Sequence, residues 1–308
     1  MLRMKVSLIL ITLLAIGAIW SLPSTVEARD VTVLVFNNTP ESWGVWGPPA
    51  RDPAAFDGGK IKTALQGTWY DAIFKQFGFT EGKDFLEIIG DDVARFEREL
   101  WSGEWDVIVF NYHIWRDSPD LQAWIENNGK KLKEFMDEGH GVISTGGRDP
   151  EDRPLVALWD GMDKALAGFP VADKCCLAYV EGTPLTKDMV GGIIDTSKSP
   201  DPTFVGDGDF PGYDVGLLPG HAEVAAEDIG DPNIAIIVYG RVQRGAYVLS
   251  GSAEITNMNM GFGQKELGQG NSWLLWRNMI DWFEDANLRS VNPKAKLPMT
   301  WAHIKTGR

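Results

Sequence analysis

The chain alternates between short apolar runs and longer segments of helical period. Val31-Thr-Val-Leu-Val-Phe36 is an apolar run of the kind buried on both faces in a parallel sheet. After a Pro/Gly/Trp-rich loop to about Gly59, Ile61, Leu65, Trp69, Ala72, Ile73 and Phe77 recur at helical spacing, and Gly78 ends the helix. Asp84 to Ile89 reads as a second strand. Asp91 or Asp92 caps a brief helix bearing Val93, Phe96 and Leu100. Trp105 to Phe110 is the third strand. Ser118-Pro119-Asp120 starts a helix, whose inner stripe is Leu121, Ile125, Asn128, Leu132 and Phe135. Gly141 to Thr145 is the fourth strand, and Leu155 to Phe169 is helical in pattern but broken by Gly161 and Gly168.

From Val171 to Pro232 the pattern changes. Gly, Pro and Asp are dense, and Cys175 to Val180 and Gly192 to Ile194 read as strands of an insertion. Ile234 to Tyr239 and Ala246 to Ser250 flank Gly240-Arg-Val-Gln-Arg-Gly245 as a hairpin. Ser272 opens a last helix with Trp273, Leu274, Trp276, Ile280 and Phe283 inward. Residues 288–308 read as an extended tail. Alternating strands and helices call for parallel strands with helices on both faces. The expected fold is α/β: a doubly wound, flavodoxin-like, mainly parallel sheet with a late β-hairpin and an inserted Gly/Pro/Asp-rich segment.

The first residues change the picture of location. Arg3 and Lys5 precede an apolar run from Val6 to Trp20. Ser21, Pro23 and Ser24 break it, and Val26-Glu27-Ala28 puts small residues before Arg29. That is the layout of a secretory signal peptide over residues 1–28, and the run is short for a membrane span, which needs about 20 residues. The expectation is a periplasmic or extracellular protein, with one domain over 29–287. The whole chain has 29 Lys+Arg against 43 Asp+Glu, a formal net charge of −14. Such a surface repels a phosphate backbone, so nucleic acid is not an expected partner. The two cysteines, Cys175 and Cys176, are adjacent, and the small ring that a bond between them would close is strained. They read as small buried residues rather than a metal or redox pair.

In doubly wound sheets, ligands sit beyond the carboxyl ends of the strands. Four loops belong there. They carry Asn37, Trp43 and Trp46 after the first strand; Tyr112, His113 and Trp115 after the third; Arg148 and Asp149 after the fourth; and Ser252 and Glu254 after the hairpin. Amides, charges and aromatic rings together suit a small polar ligand with apolar faces, such as a saccharide. Trp43 and Trp46 stack on such a ligand or pin their loop to the domain. His113 is a general base or a hydrogen-bonded structural histidine. Asp207, Asp209 and Gly212 match the first half of a calcium loop, but Leu218 stands where the closing Glu belongs. No His/Cys cluster has zinc spacing, and neither a metal nor a cofactor is expected.

Gly141-Val-Ile-Ser-Thr-Gly-Gly147, Gly245-Ala-Tyr-Val-Leu-Ser-Gly-Ser-Ala-Glu254 and the helix Trp276-Arg-Asn-Met-Ile-Asp-Trp-Phe283 carry a family likeness. Here the chain resembles the ThuA-like and class I glutamine amidotransferase-like superfamily, over roughly Val31 to Phe283. The resemblance implies a flavodoxin-like sheet, a ligand site at the strand ends and links to carbohydrate metabolism. Glutaminases of that superfamily carry a nucleophilic Cys in the first segment and a His two residues before a Glu in the second. This chain has Ser144 or Thr145 in place of the Cys, and Ser252 before Glu254. A glutaminase needs a thiolate activated by a histidine, so that activity is not expected. The candidate catalytic residues are His113, Ser144 and Glu254. The leading expectation is an exported binder of a small polar ligand. The alternatives are a sugar hydrolase or lyase using His113 with Glu254 or Asp149, and a protein-interaction module presenting exposed tryptophans.

Overall fold

The computed structural model describes residues 31–37, 69–89, 92–110, 119–145, 161–166, 176–195, 212–251 and 271–286. The strands are β1 (Val33–Asn37), β2 (Phe85–Ile89), β3 (Val107–Phe110), β4 (Gly141–Thr145), β5 (Cys176–Tyr179), β6 (Ile193–Asp195), β7 (Tyr213–Asp214), β8 (Ala222–Asp228), β9 (Asp231–Val242) and β10 (Gly245–Ser250). The helices are α1 (Trp69–Gln76), α2 (Val93–Leu100), α3 (Pro119–Asp137), the single turn α4 (Met162–Ala165) and α5 (Asn271–Asp285).

All ten strands join one sheet in the order β2-β1-β3-β4-β10-β9-β8-β5-β6, with β7 pairing β9. The run from β2 to β10 is parallel throughout. Beyond β10 neighbours alternate in direction, and among the described strands only β5 and β9 run against the rest. The protein is therefore mixed α/β.

Every residue of β1, β3, β4 and β10 is buried. That explains why their sequences are apolar on both faces: helices cover both sides of this half of the sheet. On one side Val33, Val35, Val109, Ile143 and Val248 pack with Tyr70 and Phe74 of α1 and with Leu275, Trp276, Met279 and Phe283 of α5. On the other, Leu34, Phe36, Ile108, Val142 and Leu249 meet Phe96 of α2 and Leu121, Trp124 and Phe135 of α3. Burying each such aliphatic or Phe side chain contributes roughly 1.5–3 kcal/mol. Helix α5 lies directly on the backbone of β4: a Cβ at Gly141 would stand 2.5 Å from Cε1 of Phe283. Asn278 of α5, itself buried, donates Nδ2 to the carbonyls of Leu185 (3.0 Å) and Lys187 (2.8 Å), tying the short turn Pro184–Thr186 to the helix.

Differences from the sequence reading have local causes. The strand expected from Trp105 begins at Val107; just before it, the Asp106 carboxylate accepts from the amide of Thr32 at 2.8 Å. In α3 the buried stripe is Leu121, Trp124, Leu132, Phe135 and Met136. Asn128 is half-buried and returns Nδ2 to the carbonyl of Trp124 at 3.0 Å. Of the helix read over 155–169, the described part is α4 alone, starting at Gly161 with φ 91°. The described strands of segment 171–232 join the same sheet: β8, β5 and β6 extend it past the hairpin β9–β10, and β7 pairs β9.

Candidate functional site

The four strands whose following loops carry the candidate residues lie side by side, in the order β1, β3, β4, β10. Their registers align Phe36 with Phe110, Phe110 with Ser144, and Thr145 with Ser250. Asn37, Phe110, Thr145 and Ser250 therefore end at one edge, the carboxyl edge of the parallel strands. The loops begin at residues 38, 111, 146 and 252. Trp43, Trp46, Tyr112, His113, Trp115, Arg148, Asp149, Ser252 and Glu254 all lie outside the described residues, as do residues 1–28 and the acidic loop through Asp209.

What the structure describes is the floor beneath those loops, and it is polar. Asn37 is 1% exposed, and Ser144, Thr145 and Ser250 are wholly buried. Alternation puts Asn37, Thr145 and Ser250 on the α1/α5 face and Ser144 on the α2/α3 face. Ser144, the candidate nucleophile, is the last residue but one of β4, set between Phe110 and Leu249 in the ladder. Thr145 donates Oγ1 to the carbonyl of Phe110 at 3.4 Å.

Asn37 is held by a residue that sequence reasoning passed over. Its Nδ2 donates to Oε1 of Glu87, 2.7 Å away on β2, and Glu87 is itself buried at 9% exposure. This carboxylate lies in the middle of Phe-Leu-Glu-Ile-Ile, where every neighbour is apolar. A charge inside an otherwise apolar strand was the available signal, because ionised residues are almost never buried without a partner. Beneath the pair is Tyr70 of α1, wholly buried and edge-on to Trp276 at 5.9 Å between ring centroids. Burial first, and the negative charge of Glu87 second, push the Tyr70 phenol well above its usual range. The strand ends thus hold one amide, three hydroxyls and one carboxylate, all buried, with Ser144 on the face opposite the others.

The described histidines are elsewhere. His140 precedes β4, at the amino edge. Its Nδ1 lies 3.0 Å from the carbonyl of Trp105 and its ring stacks on Phe135 at 3.8 Å. His221 precedes β8, also at the amino edge, with Nδ1 2.9 Å from the Tyr247 hydroxyl. The nearby Glu223 accepts a hydrogen bond from Tyr239 at 2.7 Å. Among the described residues no group of three or more His, Cys, Asp or Glu side chains could hold a metal. No described helix is long and apolar enough to cross a membrane.

No protein-family model matches the chain, and no curated protein matches it. Among solved structures it is similar to the cytoplasmic protein STM3548 from Salmonella typhimurium, at 12% identity and a TM-score of 0.41, over 82% of this chain and 98% of that one.

Proposed function

We propose that this chain is an exported, ThuA-like α/β protein that binds a small polar ligand, a saccharide, at the carboxyl edge of its parallel strands, and that it has no glutaminase activity. The observation that carries this reading is the concentration of buried polar side chains at that edge: Asn37, Thr145 and Ser250 close β1, β4 and β10, and Ser144 precedes Thr145 on the opposite face. Polar side chains are uncommon in so buried a place, and their clustering here supports an edge of polar character. The parallel order β2-β1-β3-β4-β10 supports a flavodoxin-like arrangement, in which the strand order reverses between β1 and β3. Ligands of such sheets sit at that reversal, and Asn37 ends β1 beside it. Export rests on residues 1–28.

A thermal-shift screen of the chain from Arg29 onward against neutral mono- and disaccharides tests the reading. A ligand at 100 times its Kd should add about 2.7 kcal/mol of stability. Binding of at least one saccharide that is weakened by Asn37→Ala, with the fold retained, is the expected result. A screen in which no saccharide stabilises the protein overturns it. Ammonia release from glutamine, abolished by Ser144→Ala, would overturn the absence of glutaminase activity.

A further inference from the structure

We propose that residues 185–190 form a strap latched to α5 by two asparagines, and that it opens as one unit while the sheet stays folded. The segment cannot satisfy its own backbone. Asp188 takes a left-handed φ of 62°, and Gly191 and Gly192, just beyond, take 86° and 75°, values that fit neither a helix nor a strand. Side chains supply the partners instead. Asn278 donates Nδ2 to the carbonyls of Leu185 and Lys187 at 3.0 and 2.8 Å. Asn271 donates Nδ2 to the carbonyl of Val190 at 2.8 Å and accepts from its amide at 3.4 Å. The same Nδ2 reaches the carbonyl of Ile193 at 2.5 Å, which ties the strap to β6, the last strand in the sheet order. Thr186 adds one bond on the far side, from Oγ1 to the carbonyl of Val180 at 2.7 Å. Asn271 and Asn278 are two helical turns apart in α5, so they stand about 10 Å from each other on one face. One helix therefore holds both ends of the strap. Apolar anchorage is slight by comparison. Leu185 and Met189 are buried, but Lys187 and Asp188 are exposed, and Val190 is 77% exposed. Segments with few buried apolar contacts are the ones that open at low cost. Opening uncovers Leu185, Met189 and the Asn278 amide, itself only 3% exposed.

Hydrogen exchange of the protein, resolved by residue and repeated at low urea concentrations, tests this. The amides of Thr186 and Met189, bonded to the carbonyls of Thr183 and Thr186, and that of Val190, bonded to Asn271, should share one opening free energy. Their exchange should exceed that of Val109 and Ile143 in the central strands by at least about tenfold, and should depend less on urea, because a small unit exposes little surface. Each asparagine is then expected to act on the end of the strap that it does not touch. Asn271→Ala should speed exchange of the Thr186 amide by roughly five- to tenfold, and Asn278→Ala should do the same at Val190. A strap whose ends fray separately would respond only beside the substituted asparagine, and that outcome overturns the proposal. So does exchange of the strap amides together with Val109 and Ile143 through one global opening of equal urea dependence. If either variant does not fold, the wild-type protein decides: a shared opening free energy with weak urea dependence upholds the strap, and unequal values along it overturn it.

Discussion

His221 reaches Tyr247 across an intervening strand: Nδ1 stands 2.9 Å from the phenolic oxygen, although β9 lies between β8 and β10. The strand between them contributes Gly240, which pairs with Ala222 on one side and Tyr247 on the other. A Cβ at Gly240 would collide with the carbonyl of His221 and stand 2.7 Å from the Tyr247 hydroxyl. The glycine is what allows the bond. Gly240→Ala should therefore destabilise the fold by about 1–3 kcal/mol, the usual cost of overpacking a filled site. Urea denaturation with an unchanged slope would measure this; an unaltered midpoint would show that the strands separate freely.

The two tyrosines beside this bridge make opposite predictions. The Tyr247 hydroxyl is bonded to His221, whereas the Tyr213 hydroxyl is buried with no hydrogen-bonding partner. Burial raises the pKa of both phenols, with Tyr247 adding to the effect on Tyr213 and Glu223 to that on Tyr247. Tyr247→Phe loses a net hydrogen bond and should cost about 1 kcal/mol. Tyr213→Phe removes a donor whose desolvation is uncompensated and should stabilise by about 1 kcal/mol. Calorimetric melting of the two variants side by side checks the contrast, and a loss of stability in Tyr213→Phe would refute it.

His140 gives stability a dependence on pH. The Trp105 carbonyl can only accept, so neutral His140 carries its proton on Nδ1. Burial lowers the pKa of the ring from its ordinary 6.5; Asp106, the Trp105 carbonyl and Glu138 oppose this, and Arg244 reinforces it. Between the lowered folded value and 6.5 the unfolded chain binds more protons than the folded one. Stability should then rise with pH through that window, be complete above 6.5, and fall as the pH drops through it. His140→Asn keeps a donor for Trp105 and should flatten this part of the profile. Denaturation midpoints from pH 4.5 to 7.5 for both proteins decide it; equal slopes would assign the dependence to other groups.

The parallel half of the sheet was legible in the sequence because its strands are buried on both faces. Val31 to Phe36 and Gly141 to Thr145 are runs that few other environments accept. The antiparallel half was less so. Ala-Glu-Val-Ala-Ala-Glu-Asp of β8 mixes two exposed or half-exposed acids with small residues, and a register shift near Ala226 breaks the period of two. That the described strands of segment 171–232 join the same sheet was therefore not legible. The carboxyl edge could be placed from strand order alone, and Asn37 with it. The meeting of Glu87 with Asn37 and Tyr70 could not, since it depends on β2 pairing with β1 and on α1 packing beside them, contacts between residues far apart in the chain.

The Asn37–Glu87 pair allows a sharper test of the edge than deletion of either member. Asn37→Asp changes one atom type and replaces a donor with a second carboxylate, facing the first across the 2.7 Å now spanned by a hydrogen bond. Two carboxylates in such a site cannot both ionise cheaply, so the pair should hold one proton to a pH well above the ordinary values of about 3.9 and 4.3. The folded variant then binds more protons than the unfolded chain between those values and the raised one, so its stability relative to wild type falls as the pH rises through that window. Near pH 4, with one carboxyl protonated and donating to the other, most of the loss should be recovered. The expected observation is a variant several kcal/mol less stable than wild type at pH 7 and within about 1 kcal/mol of it at pH 4. Glu87→Gln in the same background should restore stability at pH 7, because the amide of Gln can donate to the new Asp. A deficit independent of pH, or one that Glu87→Gln fails to repair, would show that the two side chains do not share a buried site.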